Sequence, residues 1–180
     1  DLSATLDRIY YPPVVEVFLG YRKEQVGIPL DGFGYLIPAV EKRRILGTIW
    51  SSVLFAGRAP DGHAAFTTFL GGARQPELTQ LDDASVMHLV TSELAAIMAI
   101  KGGPVHTRIN RWNKAIPQYN LGYDNVVREI EKCEKDNPGL FFCSNYRGGI
   151  SVGDCVMSSD KTSGDVLSYL KNSIHQPTLA

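Results

Sequence analysis

Cysteine is scarce in this chain, with three residues in 180, at positions 133, 143 and 155. The count is odd and the spacing wide, which excludes a disulfide framework and a zinc module and fits a reducing compartment. Charge of one sign is also lacking. Eighteen basic and 19 acidic residues leave a net charge of -1, and no Lys/Arg stripe is interleaved with aromatics, so no nucleic-acid partner is expected. The Glu41-Lys42-Arg43-Arg44 cluster reads as a solvated turn between two strand-like runs. No apolar run reaches bilayer length, and the longest hydrophobic helix candidate is broken by His88, Thr91, Ser92 and Glu93. A G-x-G-x-x-G turn opening a helix is missing too, since Gly32-x-Gly34 runs into Leu36-Ile37-Pro38, and neither a P-loop nor a G-x-S-x-G elbow is found. His63, His88, His106 and His175 are scattered and read as surface or structural residues, so neither a metal site nor a catalytic base is assigned. Asp1-Leu2-Ser3-Ala4 carries no initiator Met and no targeting pattern. The expectation is that the chain is the later part of a larger enzyme, beginning inside its substrate domain.

What is present is a globular composition, 44% hydrophobic and 21% charged, sufficient for a real core. Val14 to Tyr21 alternates and is rich in β-branched residues, and Pro12-Pro13 fixes where that strand begins. A turn at Gly32 feeds a short strand ending at Pro38. Ile45 to Phe55 alternates with apolar residues on both faces and predicts a central strand; Ala59-Pro60-Asp61-Gly62 is a turn, and His63 to Leu70 returns as the partner of a hairpin. Helical periodicity follows over Asp83 to Lys101 through Met87, Val90, Leu94, Ile97 and Met98, ended by Gly102-Gly103. Val105 to Trp112 predicts another strand. Tyr123 to Lys135 predicts a helix with Val126, Val127, Ile130 and Cys133 inward, and a last helix begins near Val152. The fold class expected is α+β: a mixed, largely antiparallel sheet with helices packed on it.

Near the C-terminus a short apolar strand is expected at Leu140-Phe141-Phe142, running through Asn145-Tyr146-Arg147-Gly148-Gly149-Ile150-Ser151-Val152-Gly153-Asp154 into the final helix. Paired glycines let backbone amides approach a ligand, and a helix start offers unpaired N–H groups to an anion. The run from Asn145 to Gly153, followed by a helix containing Ser158, Ser159 and Ser163, resembles the C-terminal flavin-contacting segment of the protoporphyrinogen oxidases. Tyr11-Pro12-Pro13, Gly32-Phe33-Gly34-Tyr35-Leu36-Ile37-Pro38, Leu46-Gly47-Thr48-Ile49-Trp50-Ser51-Ser52, Phe69-Leu70-Gly71-Gly72 and Trp112-x-x-Ala115-Ile116-Pro117-Gln118-Tyr119 resemble further landmarks of that family, in the same order. Cys143-Ser144 departs from the family's small residue and glycine, and would set a hydroxymethyl group near the cofactor pyrophosphate.

The resemblance implies an FAD enzyme of the amine-oxidase-like superfamily that oxidises a porphyrinogen with dioxygen as acceptor, in porphyrin and heme biosynthesis. It implies a substrate-domain portion over 1–136, a return segment of the FAD domain over 137–175 with that domain's final strand and helix, and a tail at 176–180. Trp112 would stand beside the flavin, with Ile150, Ser151 and Val152 along the cofactor. Phe33, Gly34, Leu36, Ile49 and Phe69 would line the substrate pocket. Alternation explains the last group equally well as plain core, and Trp112 equally well as a core or edge-strand aromatic. Peripheral membrane association through segments outside this chain, a homodimer, and a cytoplasmic or membrane-associated location, organellar in a eukaryote, complete the expectations. A related flavin amine oxidase, a carotenoid desaturase and a non-catalytic sheet module are the alternatives.

Overall fold

The computed structural model describes residues 2–174, so the tail at 176–180 lies outside the described residues. Two compact units are present, one formed by residues 12–115 and the other by 2–11 together with 116–174. Residues 12–115 build a five-stranded sheet from β1 (Val14–Arg22), β2 (Gly34–Leu36), β3 (Gly47–Ile49), β4 (His63–Gly71) and β5 (His106–Trp112), in the order β2-β3-β4-β1-β5. Every neighbouring pair is antiparallel, so the sheet is antiparallel throughout rather than mixed.

Period-two alternation decides which face is buried. Val15, Val17, Leu19 and Tyr21 of β1 and Ala64, Phe66, Thr68 and Leu70 of β4 are fully buried. They join Val86, Leu89, Val90, Leu94 and Met98 of α1, the helix Asp83–Met98, in one cluster. The Asp82 carboxylate accepts from the Ser85 amide at 2.7 Å and caps that helix. Arg111 of β5 ties its start to the sheet by donating to the Thr79 carbonyl at 2.8 Å and pairing with Asp83 at 2.6 Å. The Tyr21 hydroxyl is buried without a hydrogen-bond partner, and burial pushes its pKa up to about 12. Tyr21→Phe should therefore raise stability by about 1 kcal/mol, because the desolvated hydroxyl recovers nothing in the fold. Equilibrium denaturation checks this, and a loss of stability would show that the hydroxyl is satisfied.

The strand expected over 45–55 stops early. Only Gly47–Ile49 pairs; Ser51–Leu54 forms a single helical turn, α2. Serine hydroxyls explain the break, since side chains that hydrogen-bond locally compete with a ladder. Ser52 Oγ accepts from the Ala65 amide at 3.0 Å, where a continuing strand would have supplied a carbonyl, and Ser51 Oγ lies 2.7 Å from Thr67 Oγ1.

The other unit holds three helices: α3 (Leu2–Asp7), α4 (Tyr123–Asp136) and α5 (Val152–Ile174). Ile9, Val126 and Ile130 form its buried hydrophobic cluster, packed on by Leu2, Leu6, Tyr11, Tyr123, Phe142 and Tyr146. Glu129 of α4 accepts from Thr5 and pairs with Arg8 at 3.1 Å. These contacts group α4 with the N-terminal helix in one compact unit. Leu140-Phe141-Phe142 is not a strand. A strand exists only through a paired neighbour, and among the described residues none runs beside this segment; the Phe142 amide donates instead to Glu134 Oε1 at 2.8 Å. No helix among the described residues is long and apolar enough to cross a membrane.

Candidate flavin and substrate surfaces

The strand residues that do not face the core define the first candidate surface. Register places Leu36 opposite Gly47, Gly34 opposite Ile49, Gly47 opposite Phe69 and Phe69 opposite Glu16, so all of these side chains share one face. Trp112, opposite Val14, belongs to it too, with Phe18 and Arg108. The sheet thus gathers Leu36, Ile49, Phe69 and Trp112, with the Gly34 backbone, on the face turned away from the helix Asp83–Met98. Phe33 lies just ahead of β2, and its carbonyl accepts from the Trp50 amide at 2.8 Å.

None of these side chains belongs to the buried core. Phe33 is 64% and Leu36 83% exposed, while Ile49 and Phe69 are half-buried. Trp112 is 54% exposed, and its indole N–H donates to Glu16 Oε2 at 3.3 Å. Gly34 has φ +134, and a Cβ there would fall 2.1 Å from the Thr48 carbonyl oxygen, so β2 approaches β3 this closely only with glycine. The apolar side chains of this face suit a flat, largely apolar ligand, while Glu16, Thr67, Arg108 and Asn110 set polar groups beside them.

The second candidate surface is the start of α5. Ser151 and Asp154 form a reciprocal cap: the Asp154 carboxylate accepts from the Ser151 amide at 3.2 Å and from its hydroxyl at 2.6 Å, while the Asp154 amide donates to Ser151 Oγ at 3.0 Å. The Asp154 charge is thereby engaged at the backbone. The next amides, of Val152 and Gly153, have no hydrogen bond among the described residues, as suits the first turn of a helix. Ile150 and Val152 are exposed and, with Asn145, Cys155, Val156 and Ser159, line a shallow, mostly apolar groove. A Cβ on Gly148 would meet nothing within 4 Å, so its backbone is open to approach.

The loop leading to this turn is held from several sides. Arg147 Nη1 donates to both carboxylate oxygens of Glu134, at 2.8 Å each. Asn145 accepts from the Tyr11 hydroxyl through its side chain at 3.0 Å and from Tyr119 through its carbonyl at 3.1 Å, while Tyr123 donates to the Tyr146 carbonyl. Burial, reinforced by the neighbouring tyrosines, pushes Tyr123 up to about 12 and keeps it a donor. Ser144 turns its hydroxyl onto Asn145 Oδ1 at 3.3 Å. Hydrogen bonds from Ser158 and then Ser159 hold the Cys143 thiol below its ordinary pKa.

Sequence reasoning missed Glu16, the tyrosines around Asn145 and the Arg147–Glu134 pair. Glu16 had a signal, an acidic residue interrupting the apolar run Val14-Val15-Glu16-Val17-Phe18; the others depend on long-range packing that has no local signature. The cap was legible as Ser151-x-x-Asp154 ahead of a helix.

Fold and surfaces define a class: residues 1–167 match the family of flavin-containing amine oxidoreductases, and the chain belongs to that family. Within it, the chain is 39% identical over 170 residues to protoporphyrinogen oxidase 2, chloroplastic/mitochondrial, of Arabidopsis thaliana, an alignment covering 93% of this chain and 34% of that protein. It is 25% identical over 166 residues to coproporphyrinogen III oxidase of Bacillus subtilis, covering 92% of this chain and 35% of the relative. The fold is shared with the crystal structure of an Exiguobacterium sp. 255-15 protein assigned to the protoporphyrinogen oxidases, at TM-score 0.74 and 18% identity, covering 93% of this chain and 37% of that one. The chain spans about a third of the length of the curated relatives it matches.

Proposed function

We propose that this chain is the substrate-face and cofactor-return part of an FAD-dependent oxidase that converts protoporphyrinogen IX to protoporphyrin IX, with dioxygen as acceptor. The observation that carries this reading is the open sheet face, on which register sets Leu36 of β2, Ile49 of β3, Phe69 of β4 and Trp112 of β5 on the same side. In this reading residues 12–115 hold the macrocycle, with Phe33 and the Gly34 backbone at its margin, and 137–174 meet the cofactor. Trp112 walls the flavin ring, while Ile150, Ser151 and Val152 lie along it.

The residues present fit such a cofactor. Free amides at Val152 and Gly153, next to the open Gly148 backbone, suit an anionic group at a helix N-terminus. Ile150, Val152 and Val156 offer apolar contact to a flat ring. The bound flavin supplies hydride acceptance, and the chain's own part is to orient a reacting carbon of the substrate and exclude water. No general base is assigned to this chain. A homodimer, a cytoplasmic or membrane-associated location that is organellar in a eukaryote, and peripheral membrane contact through segments outside this chain belong to the same proposal.

The test is anaerobic reduction of the flavin in a polypeptide of the relatives' full length. Protoporphyrinogen IX should bleach the flavin absorbance, and admitted oxygen should restore it. Bleaching by a primary amine and not by the porphyrinogen would assign the chain to the amine oxidases and overturn the proposal.

A further inference from the structure

We infer that Glu16 is a positioning residue of the open sheet face, its carboxylate fixing the indole of Trp112 where that ring meets its ligands. The inference rests on the reading of Trp112 as the flavin-side wall. Glu16 is the third residue of β1, between Val15 and Val17, both fully buried on the opposite face. Glu16 itself is half-buried on the open face, within reach of solvent. Its cross-strand neighbours are Phe69 on β4 and Asn110 on β5, and Trp112 lies one diagonal step away, opposite Val14.

Trp112 is the last residue of β5, the strand at the end of the sheet order, and is paired on one side only. The residue is 54% exposed, which leaves much of its rotamer choice to polar contacts. The N–H bond to Glu16 Oε2, 3.3 Å long, supplies that choice from β1, a strand paired on both sides. A ring wall displaced by about an ångström is enough to cost one to two orders of magnitude in rate. Glu16 thus sets the orientation of the ring without touching the reacting atoms.

The test is a double-mutant cycle in the complete flavoprotein, reading kcat, KM, flavin content and the flavin absorption maximum. Glu16→Ala should lower kcat about tenfold and shift the absorption maximum with flavin content unchanged, and Glu16→Gln, which still accepts the indole N–H, should restore both to within about twofold. In a Trp112→Phe background, which lacks the N–H, Glu16→Ala should add less than about twofold. Independent, multiplying effects of the two positions, or failure of Glu16→Gln to rescue, would overturn the inference while leaving the functional reading intact. A Trp112→Ala variant with unchanged kinetics and spectrum would remove the functional role of Trp112 and this inference together.

Discussion

Gly149→Val should strip the flavin from the complete protein, lowering its affinity by about a hundredfold while the fold survives. Gly149 adopts φ +132, a conformation side chains rarely take, and a Cβ there would lie 2.5 Å from Asp154 Cγ and 2.6 Å from Asp154 Cβ. Valine therefore has to expel the carboxylate that caps α5. Losing a cap costs about 1 kcal/mol and a strained backbone residue about 1–3 kcal/mol. A combined penalty of about 3 kcal/mol, expressed wholly at the helix start, corresponds to roughly a hundredfold in binding. The damage is confined to an exposed turn, so cooperative unfolding should persist. Flavin retained through gel filtration and a fluorescence titration measure the effect, and wild-type affinity in the variant would refute the assignment of this turn to the cofactor.

Two phenylalanines three residues apart on β4 should behave oppositely. Phe66 is fully buried, with its ring centroid 6.1 Å from that of Tyr21. Phe66→Ala should cost about 3–5 kcal/mol. That is comparable with the entire stability of many domains, so a large fall in Tm and in soluble yield is expected. Phe69 is half-buried on the opposite face, beside Glu16 and Gly47. Phe69→Ala should raise KM for the porphyrinogen about tenfold, with flavin content and Tm near wild type. If Phe69→Ala unfolds the protein and leaves KM alone, the face is an interior surface and the substrate assignment falls.

Most elements were legible in the sequence because local pattern and final environment agree. Val14 to Tyr21 alternates because one face of β1 is buried, and the helix Asp83–Met98 shows its period because it lies on that face. Failures came where side chains or absent neighbours overrule pattern. Ser51 and Ser52 turn an apolar alternation into a helical turn, and Leu140 to Phe142 has strand composition without a strand to pair with. The helix Leu2–Asp7 leaves no sequence signal, since its six residues are too few to display a period. For the candidate surfaces, single positions were readable but their grouping was not. Only the register shows that Leu36, Ile49, Phe69 and Trp112, drawn from four strands, point the same way, and only the hydrogen bond reveals why Glu16 interrupts a run of valines.

The sheet unit begins and ends at adjacent points of the chain. The Ala115 amide donates to the Pro12 carbonyl at 3.0 Å, and just outside, the Gln118 amide donates to the Tyr10 carbonyl at 2.9 Å. A segment of about a hundred residues whose two ends are stitched together in this way behaves as a cassette. It can be lifted out and the gap closed by a linker of a few residues between Tyr10 and Gln118, or exchanged for a cassette with a different face. Such a layout makes the sheet unit exchangeable as a block and open to circular permutation through its own seam.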